Sequence, residues 1–290
     1  ELNEIMKLIN TVSVVKNIIC SFLLISVSFV SLASQPITPK PEPVEELSPG
    51  VLYGFLPWTS LPDSLNLVGK PPKSDSSELA FDQERNKEML LLKGSKRWEI
   101  AVSDSNLKFP HAAGTFSCAL GFDITEQDYH NLYMLLRRSA TDAGLSTFAA
   151  KKKYQRSRPF MVNEQPTCDP SKEEHLRTSG AYPSGHSAIG WAWALILSEL
   201  VPNKSNAILA RGRAFAQSRA VCNVHWQSDI VNGSVLGAAA YSKLHSSELF
   251  LTTLKRAKAE IKQNKGKDKT KDLPSLEVCK NEAEALAIFY

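Results

Sequence analysis

The stretch SGAYPSGHSAIGWAWALIL (residues 179–197) joins a small polar turn to a run without charged side chains. Ten consecutive non-polar or glycine residues, 188–197, begin two positions after His186. A helix that is apolar on every side either spans a membrane or lies buried in a protein core. This run is much shorter than the roughly 20 residues that a membrane span requires, and Glu199 soon follows it. We therefore predict a buried helix in the middle of an α-helical bundle, with His186 at its N-terminus.

The composition of the chain is that of an ordinary globular protein. Its 290 residues are 43% hydrophobic and 22% charged, which allows a large core in one or two domains. The net charge of +4 gives no indication of a nucleic-acid partner. Helix-like patterns extend from residue 76 almost to the end of the chain, without alternating strand patterns or internal repeats. We predict an all-α, single-domain helical bundle over residues 76–290.

Several segments carry helical spacing together with start or stop signals. Residues 77–104 predict two helices that break near Gly94. Thr125 and Asp128 resemble a capping box at the start of a further helix. Helices are also predicted over residues 206–219, 228–245, 248–263 and 276–288. The lysine-rich stretch 262–272 is interpreted as a solvated or disordered charge run.

The first 75 residues are predicted to lie outside the bundle. Lys7 and Lys16 precede an apolar, serine-containing stretch, 17–33, that ends in small residues. This pattern is typical of a secretory signal peptide, which we predict over residues 1–33 with cleavage after Ala33. Met6 is a candidate for the true start. The alternative is an uncleaved anchor helix. Residues 34–75 are rich in proline and predict an extended arm. The mature chain is then expected in the periplasm or outside the cell, without stable membrane association.

The cysteines are consistent with export. Removal of the signal leaves Cys118, Cys168, Cys222 and Cys279, which are enough for two disulfides in an exported chain. Three pairings are open, and the sequence does not separate them. No two of these cysteines have CxxC spacing, so a structural zinc site is not expected.

Three cations are candidates for anion binding. Lys151 and Arg158 in KKKYQRSRP (151–159) are seven positions apart, two helical turns, which predicts that they share one helix face. Pro159 disfavours helix at Arg158, whose guanidinium should then point from a helix end into a cleft. Arg219 in SRAVCNVHWQSD (218–229) is the third cation. On its own, a basic run such as 151–159 is more typical of a solvated face or a nucleic-acid patch.

The turn YPSGH (182–186) predicts an anion site at a helix N-terminus. Ser184 is a good N-cap residue, and Pro183 and Gly185 punctuate the turn. The free amides of Ser184, Gly185 and His186, with the positive end of the helix dipole, favour a bound anion. Taken alone, a histidine at a helix start is more often a structural residue.

His225 and Asp229 are four positions apart, one helical turn. The carboxylate can therefore accept a hydrogen bond from one ring nitrogen and leave the other free as a nucleophile. Such a pair is usually only a surface interaction. Combined with three cations, an anion-binding turn and His186, it predicts phosphoryl transfer without a metal, since cations and amides take the charge on the equatorial oxygens.

The order of these residues resembles the signature of the type 2 phosphatidic acid phosphatase superfamily. Lys-x6-Arg-Pro, Pro-Ser-Gly-His and Ser-Arg-x5-His-x3-Asp are present at 151–159, 183–186 and 218–229. The flanking stretches FSCALGFDIT, GAYPSGHSAIGWAWAL and VHWQSD are similar to those of bacterial class A non-specific acid phosphatases, and the resemblance extends over roughly residues 50–265. Ala181 and Ser187 stand where serine and threonine are common in that family.

The resemblance implies a fold of the phosphatase and vanadium haloperoxidase type and a broad-specificity acid phosphatase that needs no metal. His225 would attack phosphorus and form a phosphohistidine, with Asp229 orienting it and His186 protonating the leaving alcohol. No cofactor is expected, and vanadate is expected to inhibit. The implied partners are small phosphomonoesters and nucleotides, and a homo-oligomer is left open. The residues expected to hold the phosphate are Lys151, Arg158, Ser184, Gly185 and Arg219.

Other functions share parts of this pattern. An apyrase-like enzyme that removes phosphates from nucleoside triphosphates has the same motifs. Comparing the rates at which the protein hydrolyses ATP and a simple phosphomonoester distinguishes this enzyme from an acid phosphatase. A vanadium haloperoxidase uses the same constellation to bind vanadate but is usually much longer. A membrane lipid phosphatase would carry its motifs between transmembrane spans, which this pattern does not predict. A non-catalytic binding protein would not need both histidines.

Overall fold

The computed structural model describes residues 43–264 and 275–287. The described residues from Val44 onward belong to one compact unit built almost entirely of helices. This architecture confirms the predicted all-α fold. The predicted signal peptide, most of the charge run 262–272 and the first part of the proline-rich arm lie outside the described residues.

The α-helices of the described residues follow one another with short connections. In chain order they are α1 (Ser64–Leu67), α2 (Ser77–Leu90), α3 (Lys96–Asp104), α4 (Ser117–Leu120), α5 (His130–Leu145), α6 (Phe148–Tyr154), α7 (Pro159–Asn163), α8 (Glu173–Arg177), α9 (Gly185–Leu200), α10 (Ser205–Val221), α11 (Gln227–Leu244), α12 (Glu248–Asn264) and α13 (Leu276–Leu286). Short 3-10 turns lie at Trp58–Ser60, His111–Phe116, Pro170–Lys172 and Pro202–Lys204.

Helix α9 is the centre of the bundle, as its sequence predicts. It packs against α5, α10 and α11, and most of its residues are buried. Trp193 is fully buried, and its indole nitrogen donates to the Leu136 carbonyl at 2.9 Å, which satisfies the polar end of an otherwise apolar side chain. The apolar run therefore serves as a core helix. None of the described helices is long and apolar enough to cross a membrane.

Two glycines bring α11 unusually close to α9. A Cβ atom added at Gly233 would lie 2.4 Å from the Ser184 carbonyl oxygen, and one added at Gly237 would lie 2.4 Å from the Ala188 carbonyl oxygen. Both neighbours are backbone atoms, which cannot move aside as a side chain can. The absence of side chains on this face of α11 thus fixes the distance between the two helices that begin near the predicted site.

The two predicted helices in residues 77–104 are confirmed as α2 and α3. Ser76 and Ser95 cap them, each accepting a hydrogen bond from the amide three residues on. Gly94 lies between them with φ +77°, a left-handed conformation that glycine adopts without steric cost. The break therefore follows from the sequence alone.

The predicted helix start at Thr125 is wrong. Thr125 and Asp128 do bond to each other, but they close a turn, and α5 begins only at His130. The first amides of α5 donate instead to Glu260 of α12, Asn131 at 2.9 Å and Leu132 at 3.1 Å. A carboxylate more than a hundred residues away supplies the cap, which local pattern does not reveal.

The segment before α2 lies against the helices. Strands β1 (Glu46–Ser48) and β2 (Val51–Leu52) form a short antiparallel pair, which the sequence did not indicate. Asp142 of α5 accepts hydrogen bonds from the amides of Phe55 (2.8 Å) and Leu56 (3.1 Å). Phe55 is buried, as is Val68 further on. The described part of the proline-rich segment is thus packed on the bundle.

Both disulfides are formed, and their pairing resolves the three sequence alternatives. Cys118 pairs with Cys279, and Cys168 pairs with Cys222. The first links α13 to α4, and the second links the loop after α7 to the end of α10. Both bridges close long loops and restrict the unfolded chain.

Candidate active site

The turn before α9 is built as an anion-binding N-terminus. The Ser184 hydroxyl accepts a hydrogen bond from the Ser187 amide at 3.2 Å and so caps the helix. The amides of Gly185 and His186 occupy the first helical positions, where the geometry of an α-helix provides no backbone acceptor. The Ser184 amide differs from the prediction, because it donates to the Asp229 carbonyl at 2.9 Å. Ser184 can therefore offer an anion its hydroxyl but not its amide.

His225 and Asp229 meet as their spacing predicts. Asp229 lies in the first turn of α11, where its Oδ2 accepts from the Trp226 amide at 2.8 Å. The same oxygen lies 3.3 Å from Nδ1 of His225. The other ring nitrogen, Nε2, lies 3.1 Å from Nη1 of Arg158. A guanidinium only donates, so Nε2 is the acceptor and the ring proton lies on Nδ1, facing the carboxylate.

Lys151 and Arg158 converge, but not through a continuous helix. Helix α6 ends at Tyr154, Gln155 has φ +42°, and Arg158 is extended as the N-cap of α7. The predicted spacing of two helical turns is therefore wrong. The Lys151 ammonium donates to the Gly180 carbonyl at 2.9 Å. Nε of Arg158 donates to the Leu176 carbonyl at 3.0 Å, so both cations are held by the segment that leads into the YPSGH turn.

Arg219 is a buried cation without a carboxylate partner in the described part of the chain. Its side chain is buried, and neither Nε nor Nη1 has a hydrogen-bond partner among the described residues. Its own carbonyl accepts hydrogen bonds from the amides of Val224 and His225, at 3.2 and 3.3 Å. The same residue thus fixes the backbone of His225 and presents a guanidinium that an anion would satisfy. Leaving such a donor unpaired is costly unless a ligand supplies the acceptor.

The cations depress one another's pKa. Burial and the nearby Arg158 lower the pKa of Lys151 to about 7. Burial and the charge of Arg158 lower the pKa of Arg219 to about 9, and burial lowers that of Arg158 to about 10. Asp229 only partly offsets burial and repulsion at Lys151, and burial alone at Arg158. A bound anion would relieve both the desolvation and the repulsion, so the site is electrostatically suited to a phosphate group.

His186, which is half-buried, and His225, which is buried, lie in one positively charged environment. His186 Nε2 lies 3.3 Å from the Ser105 carbonyl, and its ring stacks near Phe215, with centroids 6.4 Å apart. Burial first, and Arg219 next, hold the pKa of His186 well below its ordinary value. Burial and Arg158 do the same for the pKa of His225, to which His186 also contributes. Both shifts favour the neutral form of the rings as long as no anion is bound.

Sequence reasoning missed three residues of this site: Arg156, Ser228 and Asp82. Arg156 donates from Nη1 to Oδ1 of Asp229 at 2.6 Å and to the Ser228 hydroxyl at 2.7 Å. Its Nη2 donates to Oδ2 of Asp82 at 2.7 Å. Arg156 lies inside the basic run 151–159, but nothing there separates it from its neighbours. Asp82 is in α2, far away in the chain, and has no local signal.

The described residues contain no group of three or more His, Cys, Asp or Glu arranged to hold a metal ion. Two other histidines bond elsewhere. His245 lies 3.1 Å from Glu199, and His111 lies 3.2 Å from the Ser103 hydroxyl.

The chain is similar to several known proteins. Residues 132–246, which include every site residue predicted from the sequence, match the family described as the PAP2 superfamily. The chain is 41% identical over 200 residues to a non-specific acid phosphatase of Providencia stuartii, across 69% of this chain and 81% of the relative. It is 33% identical over 258 residues to an acid phosphatase of Zymomonas mobilis subsp. mobilis, across 89% and 95% respectively. Among solved structures, a bacterial vanadium-dependent iodoperoxidase aligns at 16% identity with a TM-score of 0.47, across 71% of this chain and 62% of that chain.

Proposed function

We infer that this chain, which belongs to the PAP2 superfamily and to its bacterial non-specific acid phosphatases, hydrolyses phosphate monoesters through a phosphohistidine intermediate. The observation that carries the proposal is the buried guanidinium of Arg219, whose Nε and Nη1 have no acceptor among the described residues, in the residue whose carbonyl holds the backbone of the Asp229-bound His225.

The first step is binding of the phosphate group. Lys151, Arg158 and Arg219 supply positive charge, and the amides of Gly185 and His186 supply donors at a helix N-terminus. These groups are fixed before the substrate arrives, because the carbonyls of the segment 176–181 hold the first two cations. Preorganised donors stabilise charge on the equatorial oxygens without reorganisation during the reaction.

The second step is attack on phosphorus by Nε2 of His225. The depressed pKa favours the unprotonated form of this nitrogen, and Asp229 holds the proton on Nδ1. As the P–N bond forms and the P–O bond breaks, the ring gains positive charge that the Asp229 carboxylate stabilises. His186 donates a proton to the leaving alcohol, so the electron pair of the broken bond ends on a neutral hydroxyl.

The third step returns the enzyme to its starting state. His186, now neutral, takes a proton from a water molecule that attacks the phosphorus of the phosphohistidine. The P–N bond breaks, its electron pair returns to Nε2, and inorganic phosphate leaves.

The negative charge of the bound phosphate raises the pKa of His186 toward its ordinary range, which allows the same ring to serve as acid in the substrate complex.

We also propose that the reaction needs no metal and that the chain works outside the reducing cytoplasm. Cations and amides already supply the charge that a metal would provide in other phosphatases. Two disulfides in the described residues are consistent with an oxidising compartment.

The test is a substrate panel on the purified chain in mildly acidic buffer, with p-nitrophenyl phosphate, nucleoside monophosphates, ATP and pyrophosphate. We expect monoester hydrolysis that vanadate inhibits and that His225→Ala abolishes, while inorganic phosphate still binds that variant. Preferential release of phosphate from ATP would favour the apyrase-like alternative. Near-normal monoester hydrolysis by His225→Ala would contradict the proposed mechanism.

A further inference from the structure

Arg156 bridges two buried carboxylates on either side of the site. Its Nη1 lies 2.6 Å from Oδ1 of Asp229, and its Nη2 lies 2.7 Å from Oδ2 of Asp82. The side chain of Arg156 is 9% exposed, and both carboxylates are fully buried. Both terminal nitrogens of Arg156 donate to carboxylates, so the charge of this guanidinium is already paired within the protein.

The two oxygens of Asp229 have different partners. Oδ1 accepts from Arg156, whereas Oδ2 accepts from the Trp226 amide and faces Nδ1 of His225. A carboxylate held at both oxygens cannot rotate about its terminal bond. The contact with Arg156 therefore sets the direction in which Oδ2 points at the histidine.

Asp82 in turn fixes Arg156 and the start of α11. Its Oδ1 accepts from the Ser228 amide at 2.8 Å, and its Oδ2 accepts from the Arg156 guanidinium. The Trp226 ring also lies beside Arg156, with the guanidinium carbon 5.5 Å from the ring centroid. Helix α2 thus reaches the active site through one carboxylate, although it contributes no residue that would touch the substrate.

We propose that Arg156, clamped by Asp82, is the positioning residue that keeps Asp229 aimed at the nucleophile His225. The proposal rests on the proposed function, because it assigns a role within the same reaction. It makes Asp82–Arg156–Asp229–His225 a series of fixed contacts that ends at Nδ1 of the nucleophilic histidine.

Electrostatics supports this geometry. Burial raises the pKa of Asp229, and the charge of Arg156 is the largest opposing influence, followed by the Trp226 amide. Without Arg156 the carboxyl would be protonated at a higher pH and could no longer accept the Nδ1 proton. The charged and titratable groups facing Asp229 are Arg156, Lys151, Arg158, His225 and Tyr182, with Asp82 beyond Arg156.

The experiment compares Arg156→Met and Arg156→Lys with the unaltered full-length chain. We expect Arg156→Met to lower kcat for p-nitrophenyl phosphate by about 100-fold, the usual cost of misplacing a reacting group by about 1 Å. The inhibition constant of inorganic phosphate should stay near the wild-type value, because the three phosphate-facing cations remain. The acid limb of the kcat profile should move to higher pH. Arg156→Lys should return that limb toward its wild-type position while recovering only part of kcat, since an ammonium cannot bridge both carboxylates.

The matched control is Arg138→Met, which removes a half-buried arginine that donates to the Tyr53 and Gly54 carbonyls, away from the site. It should lower Tm without changing kcat or the pH profile. An unchanged kcat in Arg156→Met would overturn the proposal. So would a loss of kcat accompanied by an equal loss of phosphate binding, if the acid limb of the kcat–pH profile does not move. If Arg156→Met does not fold, the same measurements on Arg156→Lys test the proposal. A wild-type kcat in Arg156→Lys would also overturn the proposal. Absence of monoester hydrolysis in the unaltered chain would instead refute the proposed function.

Discussion

Replacing Gly233 by alanine should damage catalysis from a position that no substrate touches. The new Cβ would lie 2.4 Å from the Ser184 carbonyl oxygen and 3.0 Å from Cβ of Ser187, whereas ordinary van der Waals contact begins at 3.4 Å. The shortfall at the carbonyl is 3.4 − 2.4 = 1.0 Å, and it must be met by moving backbone. Because the Ser184 amide is bonded to the Asp229 carbonyl, this movement separates the phosphate-binding turn from the nucleophile.

The expected size of the effect follows from that displacement. A shift of about 1 Å between reacting groups costs roughly 100-fold in rate. Overpacking a core contact of this kind destabilises a protein by about 1–3 kcal/mol. The assay is kcat/KM for p-nitrophenyl phosphate together with the urea midpoint of unfolding. We expect Gly233→Ala to remain folded at 25 °C and to lose most of its activity.

Gly237→Ala provides the matched comparison, because its Cβ would lie equally close, 2.4 Å, to the Ala188 carbonyl oxygen one turn further along α9. Both variants should lose similar stability. Only Gly233→Ala presses on the turn that binds phosphate, so it should lose much more activity. Equal losses of kcat/KM in the two variants would refute the link between helix spacing and the site.

Three further predictions concern pH, metal and stability. Lys172→Gln removes a cation that lowers the pKa of His186, so the protonated acid persists to higher pH. With a nucleoside monophosphate, whose alcohol leaving group needs this acid, the alkaline limb of the kcat–pH profile should move to higher pH, whereas Lys152→Gln should leave it in place. Excess EDTA should leave activity unchanged, and a loss reversed by adding a divalent metal would count against the metal-free site. Replacing Cys118 and Cys279 together by serine should lower the free energy of unfolding by up to about 5 kcal/mol, because that bridge spans 161 residues; an unchanged urea midpoint would contradict this.

The sequence was sufficient for the parts of the molecule that depend on local pattern. The apolar run after His186 predicted the central helix, and Gly94 predicted the break between α2 and α3. The spacing of His225 and Asp229 predicted their contact, because both lie within one turn at the start of α11. In each case neighbouring residues alone decide the outcome.

The remainder depended on contacts between distant segments. The cap of α5 comes from Glu260, and the partner of Arg156 on the far side of the site is Asp82 of α2. Lys151 and Arg158 do converge, but through a chain reversal at Gln155 and not through the helical face that their spacing suggested. Pairing of the cysteines likewise follows from the packing of α13 and α10, which no local signal records.

In the proposed reaction the phosphoryl group is transferred to Nε2 of His225. The most direct measurement is peptide mass spectrometry after rapid mixing with p-nitrophenyl phosphate and an alkaline quench, which preserves phosphohistidine. His186→Ala serves as the trap, since the activated leaving group needs no acid but hydrolysis of the intermediate still needs the base. We expect a phosphate on the peptide that contains His225. A burst of p-nitrophenol with no phosphate on that peptide, or with phosphate on another residue, would contradict it.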